Sequence, residues 1–233
     1  MSTGKVIGAE ALVRWNRPDH GLISPADFIP LAEDTGLIIP MGAFVMGTAC
    51  RQVMAWSQDG FFQGRIAVNI AGPQMERGNI AETVKTILEE TGMPASQLEL
   101  EITESFIMGN AEEALLTVQS LKDLGVATSI DDFGTGYSSL SYLKRLPVDT
   151  LKIDQSFVRD LPDDPEDAAI ARAVIALGRN LGYTVIAEGV ETGEQRRFLM
   201  EEQCQMAQGY LFSRPMPPDE FETWLRNNQA LLM

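Results

Sequence analysis

Short strand-like runs alternate with helical patterns along the whole chain, and this alternation restricts the fold more than any other feature of the sequence. Several runs are apolar on successive residues, which is typical of parallel strands covered on both faces. The alternation fits either a doubly wound sheet or a (β/α) barrel. No glycine-rich phosphate turn follows the first run, so we favour the barrel, with one of its eight strands unaccounted for. The seven predicted strands are Val6–Val13, Arg65–Ile70, Leu98–Thr103, Ala127–Phe133, Thr150–Gln155, Thr184–Val190 and Met206–Phe212.

The composition is that of an ordinary globular domain. The chain has 233 residues, of which 45 % are hydrophobic and 22 % are charged, enough apolar material for a sizeable core. No linker, repeat or low-complexity stretch divides it, so we predict one domain over residues 1–233. The longest uncharged stretch, Thr35–Cys50, has 16 residues and is too short to span a bilayer. There is no export signal and only two cysteines, so we expect a cytoplasmic protein without a membrane segment.

The charge balance limits the classes of ligand. There are 33 acidic and 18 basic residues, a net charge of -15, which argues against general nucleic-acid binding. An anionic ligand would therefore need bound cations to attract it. His20 is the only histidine, which excludes sites built from several histidines. We expect any metal site to be rich in oxygen ligands and to favour Mg²⁺, Mn²⁺ or Ca²⁺ over Zn²⁺.

Polar side chains collect toward the carboxyl ends of the predicted strands. In a barrel these ends form one face, where active sites are built from several strands. Carboxylates packed so closely would repel one another, and a pair of divalent cations about 3.5–4 Å apart would resolve the conflict and support phosphoryl chemistry. The alternative is that each acid caps a helix or pairs with a lysine. The residues are Glu10, Asn69, Glu101, Glu104, Asp131, Asp132, Lys152, Asp154, Glu188, Glu191 and Gln208.

Three further features have both a functional and a structural interpretation. The segment 132–139 contains two glycines and is either a ligand loop or an ordinary turn after a strand. Lys152, in an apolar strand, would orient or deprotonate an attacking water, or form a structural ion pair. Arg14 would bind a phosphate through its planar fork, or form a surface ion pair.

The motifs of this sequence resemble those of the EAL family of bacterial cyclic di-GMP phosphodiesterases. The resemblance begins with Glu-Ala-Leu-Val-Arg-Trp at residues 10–15 and continues in family order over nearly the whole chain. Further matching motifs are Pro25–Ala32, Val68–Asn69, Glu99–Ser105, Asp131–Ser139, Leu151–Asp154, Ala187–Glu191 and Gln208–Pro215.

The resemblance implies a TIM-like (β/α)8 barrel that cleaves cyclic di-GMP to linear 5′-pGpG with two Mg²⁺ or Mn²⁺ ions. Its implied catalytic residues are Glu10, Asp131, Asp132 and Lys152. The first ion would be held by Glu10, Asn69, Glu101 and Asp131, and the second by Asp131, Asp132 and Glu188. Lys152 would position the attacking water, and Glu104 would steady the loop that starts at Asp131. The substrate would contact Leu12, Arg14, Glu191 and Gln208.

One departure from the family concerns the first strand of the barrel. The family has a strand with a Tyr-Gln-Pro motif well before the Glu-Ala-Leu motif, whereas only nine residues precede Glu10 here. We therefore expect the usual first strand to be truncated. This departure favours an alternative function, a cyclic di-GMP receptor that does not hydrolyse its ligand. A regulatory module that works through protein contacts alone is a third hypothesis.

The resemblance also suggests partners. Family members are commonly joined to sensory or cyclase domains, so this chain is a candidate fragment of a longer protein, and a homodimer is a candidate assembly.

Two related chemistries are excluded by sequence. A histidine-based phosphodiesterase needs several metal-binding histidines, and a diguanylate cyclase needs a Gly-Gly-Asp/Glu-Glu-Phe segment, which does not occur.

Overall fold

The structure is a computed structural model, and it describes residues 1, 4–58, 60, 62–136 and 140–228. The chain divides into two compact units. The first unit comprises Ile7–Glu101 and Ser120–Ala127, and the second unit comprises Met1–Val6, Ile102–Gln119 and Thr128–Met233.

The first unit pairs its strands in parallel and covers them with helices. Strand β1 runs beside β4 with Glu10 opposite Ala67, and β2 pairs with β3 as a small antiparallel hairpin. The helix α4 begins at an Asn79 side chain that accepts from the Glu82 N–H, and ends at Gly92 in the left-handed conformation. The elements are β1 (Gly8–Ala11), β2 (Trp15–Arg17), β3 (Gly21–Ile23), α1 (Pro25–Thr35), α2 (Ile38–Gln58), β4 (Arg65–Ile70), α3 (Gly72–Glu76), α4 (Ile80–Thr91) and the start of β5 (Leu98–Thr103).

The helix α2 is the central helix of the first unit. It is the one helix in the described part of the chain that is long and apolar enough, by length and composition, to cross a membrane. It packs on β4, α4 and α1, and it buries Met46, Cys50 and Val53 completely. The uncharged stretch of the sequence ends at Cys50, whereas the helix continues to Gln58. It accommodates the charge of Arg51 because this side chain is exposed.

The second unit repeats the pattern of a strand followed by a helix. Strands β6, β7, β8 and β9 lie side by side in chain order and are all parallel. The acidic run that begins α8 caps it, because the Asp164 carboxylate accepts from the N–H groups of Glu166 and Asp167. The elements are the end of β5, α5 (Glu104–Gly109), α6 (Ala111–Asp123) as far as Gln119, β6 (Ala127–Phe133) from Thr128 onward, α7 (Leu140–Leu143), β7 (Thr150–Ile153), α8 (Pro165–Leu181), β8 (Thr184–Ala187), α9 (Gly193–Glu201), β9 (Met206–Ala207) and α10 (Pro218–Asn228).

The predicted strands are all present, but four of the seven are shorter than expected. In three of them a specific residue ends the strand early. Asp154 turns the chain after β7, because its carboxylate accepts from the Ser156 N–H. Gly189 and Gly209 turn it after β8 and β9, with φ values of 67° and 150°. The hairpin of β2 and β3 was not predicted. The single domain stays a prediction.

Candidate active site

A β-bulge places two adjacent aspartates beside one lysine in the second unit. Ile130 pairs with Leu151 and Phe133 pairs with Ile153, so Asp131 and Asp132 both lie opposite the single residue Lys152. Asp132 takes a φ of 54°, in the left-handed region that aspartate enters more readily than most residues with a side chain. A regular strand would send consecutive side chains to opposite faces, and the bulge changes this alternation at the end of the strand.

Lys152 is a buried cation held by two carboxylates. Its side chain is 1 % exposed, and its Nζ lies 3.0 Å from Asp131 Oδ1 and 2.8 Å from Glu188 Oε1. A charge this deeply buried is stable only when it is paired and hydrogen-bonded. The ammonium group therefore ties the ends of β6 and β8 together through β7.

The three acids beside Lys152 form a dense cluster of oxygen donors. Asp131, Asp132 and Glu188 each offer one oxygen, and these oxygens lie within 4.8 Å of one another. Burial, the neighbouring carboxylates of Asp131 and Asp154, and a side-chain hydrogen bond with Asp154 raise the pKa of Asp132 to about 6, against a lowering effect of Lys152. Burial contributes most to this pKa shift, and the two neighbouring carboxylates add to it.

Asp154 was singled out in the sequence only as a strand-end residue without a role. It lies beside Asp132, and its Oδ1 also accepts from the N–H and hydroxyl groups of Ser156. Its position two residues after Lys152, with the same strand orientation, is the signal that would have assigned it to the cluster.

The segment that follows β6 is held by Glu104. This side chain is 1 % exposed, and its Oε2 accepts from the N–H groups of Gly134 at 2.8 Å and Gly136 at 3.4 Å. The functional role that the resemblance implied for Glu104 stays a prediction. The rest of the predicted loop, Tyr137, Ser138 and Ser139, lies outside the described residues.

The segment that follows β8 carries Glu188 at its start and Glu191 at its end. The Val190 N–H donates to the Gln208 carbonyl at 3.0 Å, and the Leu211 N–H donates to the Val190 carbonyl at 3.0 Å. Glu191 and Gln208, both predicted to contact the substrate, have exposed side chains. Gln195 accepts from the backbone of this segment and was not singled out in the sequence.

The first unit contributes a second group of polar side chains. Asn69 Nδ2 donates to Glu10 Oε1 at 2.7 Å, so the ends of the neighbouring strands β1 and β4 bring these two predicted ligands together. Glu101, on β5, is 3 % exposed. Leu12 is 42 % exposed, and the exposed Arg14 donates from Nη1 to the carbonyl of Val13 at 2.8 Å.

The donor atoms of the acidic cluster are suited to a hard divalent cation. All three are carboxylate oxygens, the ligands that Mg²⁺ and Mn²⁺ prefer, and no sulfur or imidazole is among them. A bound cation would favour the ionised form of Asp132, whose pKa burial and the neighbouring carboxylates raise. The chemistry of the described cluster is therefore compatible with binding a divalent metal ion.

Comparison with known proteins decides the family. A family model described as the EAL domain matches residues 1–215. The chain belongs to the EAL-domain family. The EAL-domain chain is 48 % identical over 217 residues to a Pseudomonas aeruginosa protein named bifunctional diguanylate cyclase/cyclic di-GMP phosphodiesterase MucR, covering 93 % of this chain and 32 % of the relative. It is 43 % identical over 223 residues to the Escherichia coli cyclic di-GMP phosphodiesterase PdeR, covering 96 % and 34 %.

Solved structures give the same result for the fold. The structure of the MucR phosphodiesterase in complex with c-di-GMP is 47 % identical, covers 91 % of this chain and 86 % of that one, and superposes with a TM-score of 0.88. The predicted TIM-like α/β fold of the EAL type is confirmed. The EAL-domain chain spans about a third of the length of the curated relatives named above.

Proposed function

We propose that this chain hydrolyses one phosphodiester bond of cyclic di-GMP and releases linear 5′-pGpG. The observation that carries the proposal is the cluster of Asp131, Asp132 and Glu188 around the buried ammonium group of Lys152. The names of the relatives support the substrate, because MucR and PdeR are both called cyclic di-GMP phosphodiesterases.

The same proposal includes two Mg²⁺ or Mn²⁺ ions. Asp131, Asp132 and Glu188 would hold one of them, and Glu10, Asn69 and Glu101 would hold the other together with Asp131. Divalent cations at such a site lower the pKa of water and neutralise charge on the phosphate. This neutralisation also explains how a chain with a net charge of -15 would attract an anionic substrate.

The residues of this chain would then orient the reactants. Lys152, fixed by Asp131 and Glu188, would hold the attacking water by donating to its oxygen, with the reacting atoms aligned for in-line displacement. The water oxygen forms a bond to phosphorus and gives up one proton, the bond from phosphorus to the 3′ oxygen breaks, and the departing 3′ oxygen takes up one proton, so that no net proton is gained or lost in forming the 3′ hydroxyl.

Exposed side chains would bind the rest of the substrate. The guanidinium group of Arg14 matches the geometry of a phosphate, and Leu12 would contact the substrate beside it. Glu191 and Gln208 follow strands β8 and β9 in the second unit and would contact the nucleotide there. Glu104 would keep the segment after β6 in place.

We further propose that this domain, residues 1–233, acts in the cytoplasm as one part of a longer signalling protein. The length of the curated relatives supports this, since each is about three times as long as the matched segment. A homodimer remains a prediction.

The test is incubation with cyclic di-GMP in Mg²⁺, in Mn²⁺ and in EDTA, with chromatographic separation of the products. We expect linear 5′-pGpG in both metal ions and none in EDTA. Binding by calorimetry without product would contradict hydrolysis and favour a receptor. Neither binding nor product would favour a module that acts through protein contacts.

A further inference from the structure

Gln195 is a buried polar side chain that the proposed reaction does not use. It lies in the first turn of α9 and is 4 % exposed. Its Oε1 accepts from the N–H groups of Glu191 at 2.7 Å and Thr192 at 2.9 Å, and its Nε2 donates to the Arg159 carbonyl at 2.8 Å. One side chain thus joins the segment after β8 to the segment after β7.

These bonds exceed what the start of a helix requires. In a capping box the side chain at the third helical position reaches back to one N–H group, that of the cap residue. Thr192 is the cap residue here, and its hydroxyl accepts from the Gln195 N–H at 3.1 Å. The additional bonds to Glu191 and Arg159 do not serve the helix; they join the segment after β8, which begins with Glu188, to the segment after β7.

The backbone around Gln195 is packed too closely to adjust freely. Gly189 lies so near Gln155 that a Cβ atom on the glycine would be 2.6 Å from the Gln155 Cβ. On the other side, a Cβ on Gly209 would lie 2.3 Å from the backbone nitrogen and oxygen of Val190. Both distances are far below ordinary van der Waals contact, so the segment after β8 is held between the segments after β7 and β9.

The segment that Gln195 holds begins with Glu188. The Glu188 N–H donates to the Ile153 carbonyl at 3.1 Å, and its carboxylate reaches Lys152. A shift of the segment would move this carboxylate relative to Lys152 and Asp131, whose strands belong to the same parallel set.

We propose that Gln195 is a positioning residue that fixes Glu188 and Glu191 for cation and substrate binding by joining the segments after β7 and β8. The proposal rests on the proposed function, because that function gives these two carboxylates their roles. Gln195 itself does not contact the reacting atoms, and it acts through the backbone of residues 188–192.

The test uses the full chain and measures Mn²⁺ affinity by calorimetry without substrate. Gln195→Met removes every side-chain bond at nearly constant volume. We expect its Kd for Mn²⁺ to rise roughly tenfold, within the range seen when residues that orient metal ligands are replaced. Hydrogen exchange at the Glu191 and Thr192 amides should accelerate, because both lose their acceptor.

Two further variants separate positioning from stability. Gln195→Glu can still accept from Glu191 and Thr192 but cannot donate to Arg159, so we expect protected amides and an intermediate Mn²⁺ affinity. Leu199→Val shortens a completely buried side chain of the same helix, so it should lower the melting temperature and leave the Mn²⁺ affinity unchanged.

The outcomes distinguish this proposal from the proposed function. A Kd of Gln195→Met within about twofold of the unmodified chain, or an equal loss in Leu199→Val, would overturn the positioning role even if cyclic di-GMP is hydrolysed. If the Mn²⁺ affinities change as expected but cyclic di-GMP is not hydrolysed, the positioning role of Gln195 is supported and the proposed phosphodiesterase activity is contradicted. An unmodified chain that takes up no Mn²⁺ would contradict both.

Discussion

The second unit holds the segments that follow β6 and β8 by different means. The segment after β6 donates two backbone N–H groups to the single carboxylate of Glu104. The segment after β8 donates to the neutral amide of Gln195 and packs closely through Gly189 and Gly209. A carboxylate makes stronger hydrogen bonds but only accepts them, whereas an amide both accepts and donates and can therefore join two segments. The position of the segment after β6 should therefore depend mainly on the charge of Glu104. The position of the segment after β8 should depend mainly on close packing.

The largest expected effect on turnover comes from replacing the two acids that contact Lys152. Asp131→Ala removes a proposed ligand of both ions and a partner of Lys152, so turnover should fall at least about a thousandfold, since a cation contributes several kcal/mol to charge stabilisation. Glu188→Ala removes a ligand of one ion and should cost less. Steady-state hydrolysis of cyclic di-GMP measures both.

The exposed Asp163 supplies the control for net charge, because Asp163→Ala removes the same charge in the same unit. It should keep the rate of the unmodified chain. A Glu188→Ala variant slower than Asp131→Ala would contradict the assignment of Asp131 to both ions.

The next effect concerns the charge of Glu104. Glu104→Ala leaves the N–H groups of Gly134 and Gly136 without their acceptor, so turnover should fall roughly a hundredfold, at the upper end for residues that orient ligands. Glu104→Gln retains an acceptor without charge and should lose about tenfold. Exchange of the Gly134 and Gly136 amides would report the same order, and equal losses in the two variants would mean that the charge is unimportant.

Gly189 tests whether fit holds the segment after β8. Gly189→Ala combines an unfavourable positive φ, costing about 1–2 kcal/mol of unfolding free energy, with overlap against Gln155 that costs about 1–3 kcal/mol more. Gly182→Ala is the matched control, because Gly182 has a φ of 82° and nothing within 4 Å of its added Cβ. Urea unfolding measures both, and equal losses would show that the contact with Gln155 is not close enough to matter.

The smallest expected effect is a change in the labelling rate of a buried cysteine, and the chain offers Cys50 and Cys204 as probes. Burial raises the pKa of Cys50 and Cys204 to about 11, so about one thiol in a thousand is ionised at pH 8 and labelling should be slow. The Cys204 thiol lies against the carbonyls of Val185 and Met206 in β8 and β9. In Gly189→Ala, labelling of Cys204 should accelerate while Cys50, in the first unit, keeps its rate. Fast labelling of both cysteines in the unmodified chain would contradict their burial.

The positions of the strands could be predicted, since apolar runs and turn residues are local signals. Where strands β7, β8 and β9 end could not be read from apolarity, because Asp154, Gly189 and Gly209 stop strands whose following residues are still suited to them. The hairpin of β2 and β3 was missed because each of its strands has only three residues. An alternation of apolar and polar residues cannot be recognised over so short a run.

The candidate site could be predicted mostly through the resemblance, and its detailed geometry could not. The bulge that sets Asp131 and Asp132 opposite Lys152 depends on the register of two strands distant in sequence. The role of Gln195 depends on its contact with Arg159, 36 residues away. The spacing of Thr192 and Gln195 was nevertheless a visible capping-box pattern, and only the structure shows that it also reaches the acidic segment.

The central claim is that water attacks phosphorus and the 3′ oxygen leaves. Hydrolysis of cyclic di-GMP by the unmodified chain in ¹⁸O-labelled water with Mn²⁺, followed by mass spectrometry, tests it most directly. We predict a linear dinucleotide that carries one ¹⁸O atom in its 5′ phosphate and none at its 3′ hydroxyl. Label at the 3′ hydroxyl, a product that ends in a 3′ phosphate, or unchanged cyclic di-GMP would contradict the account.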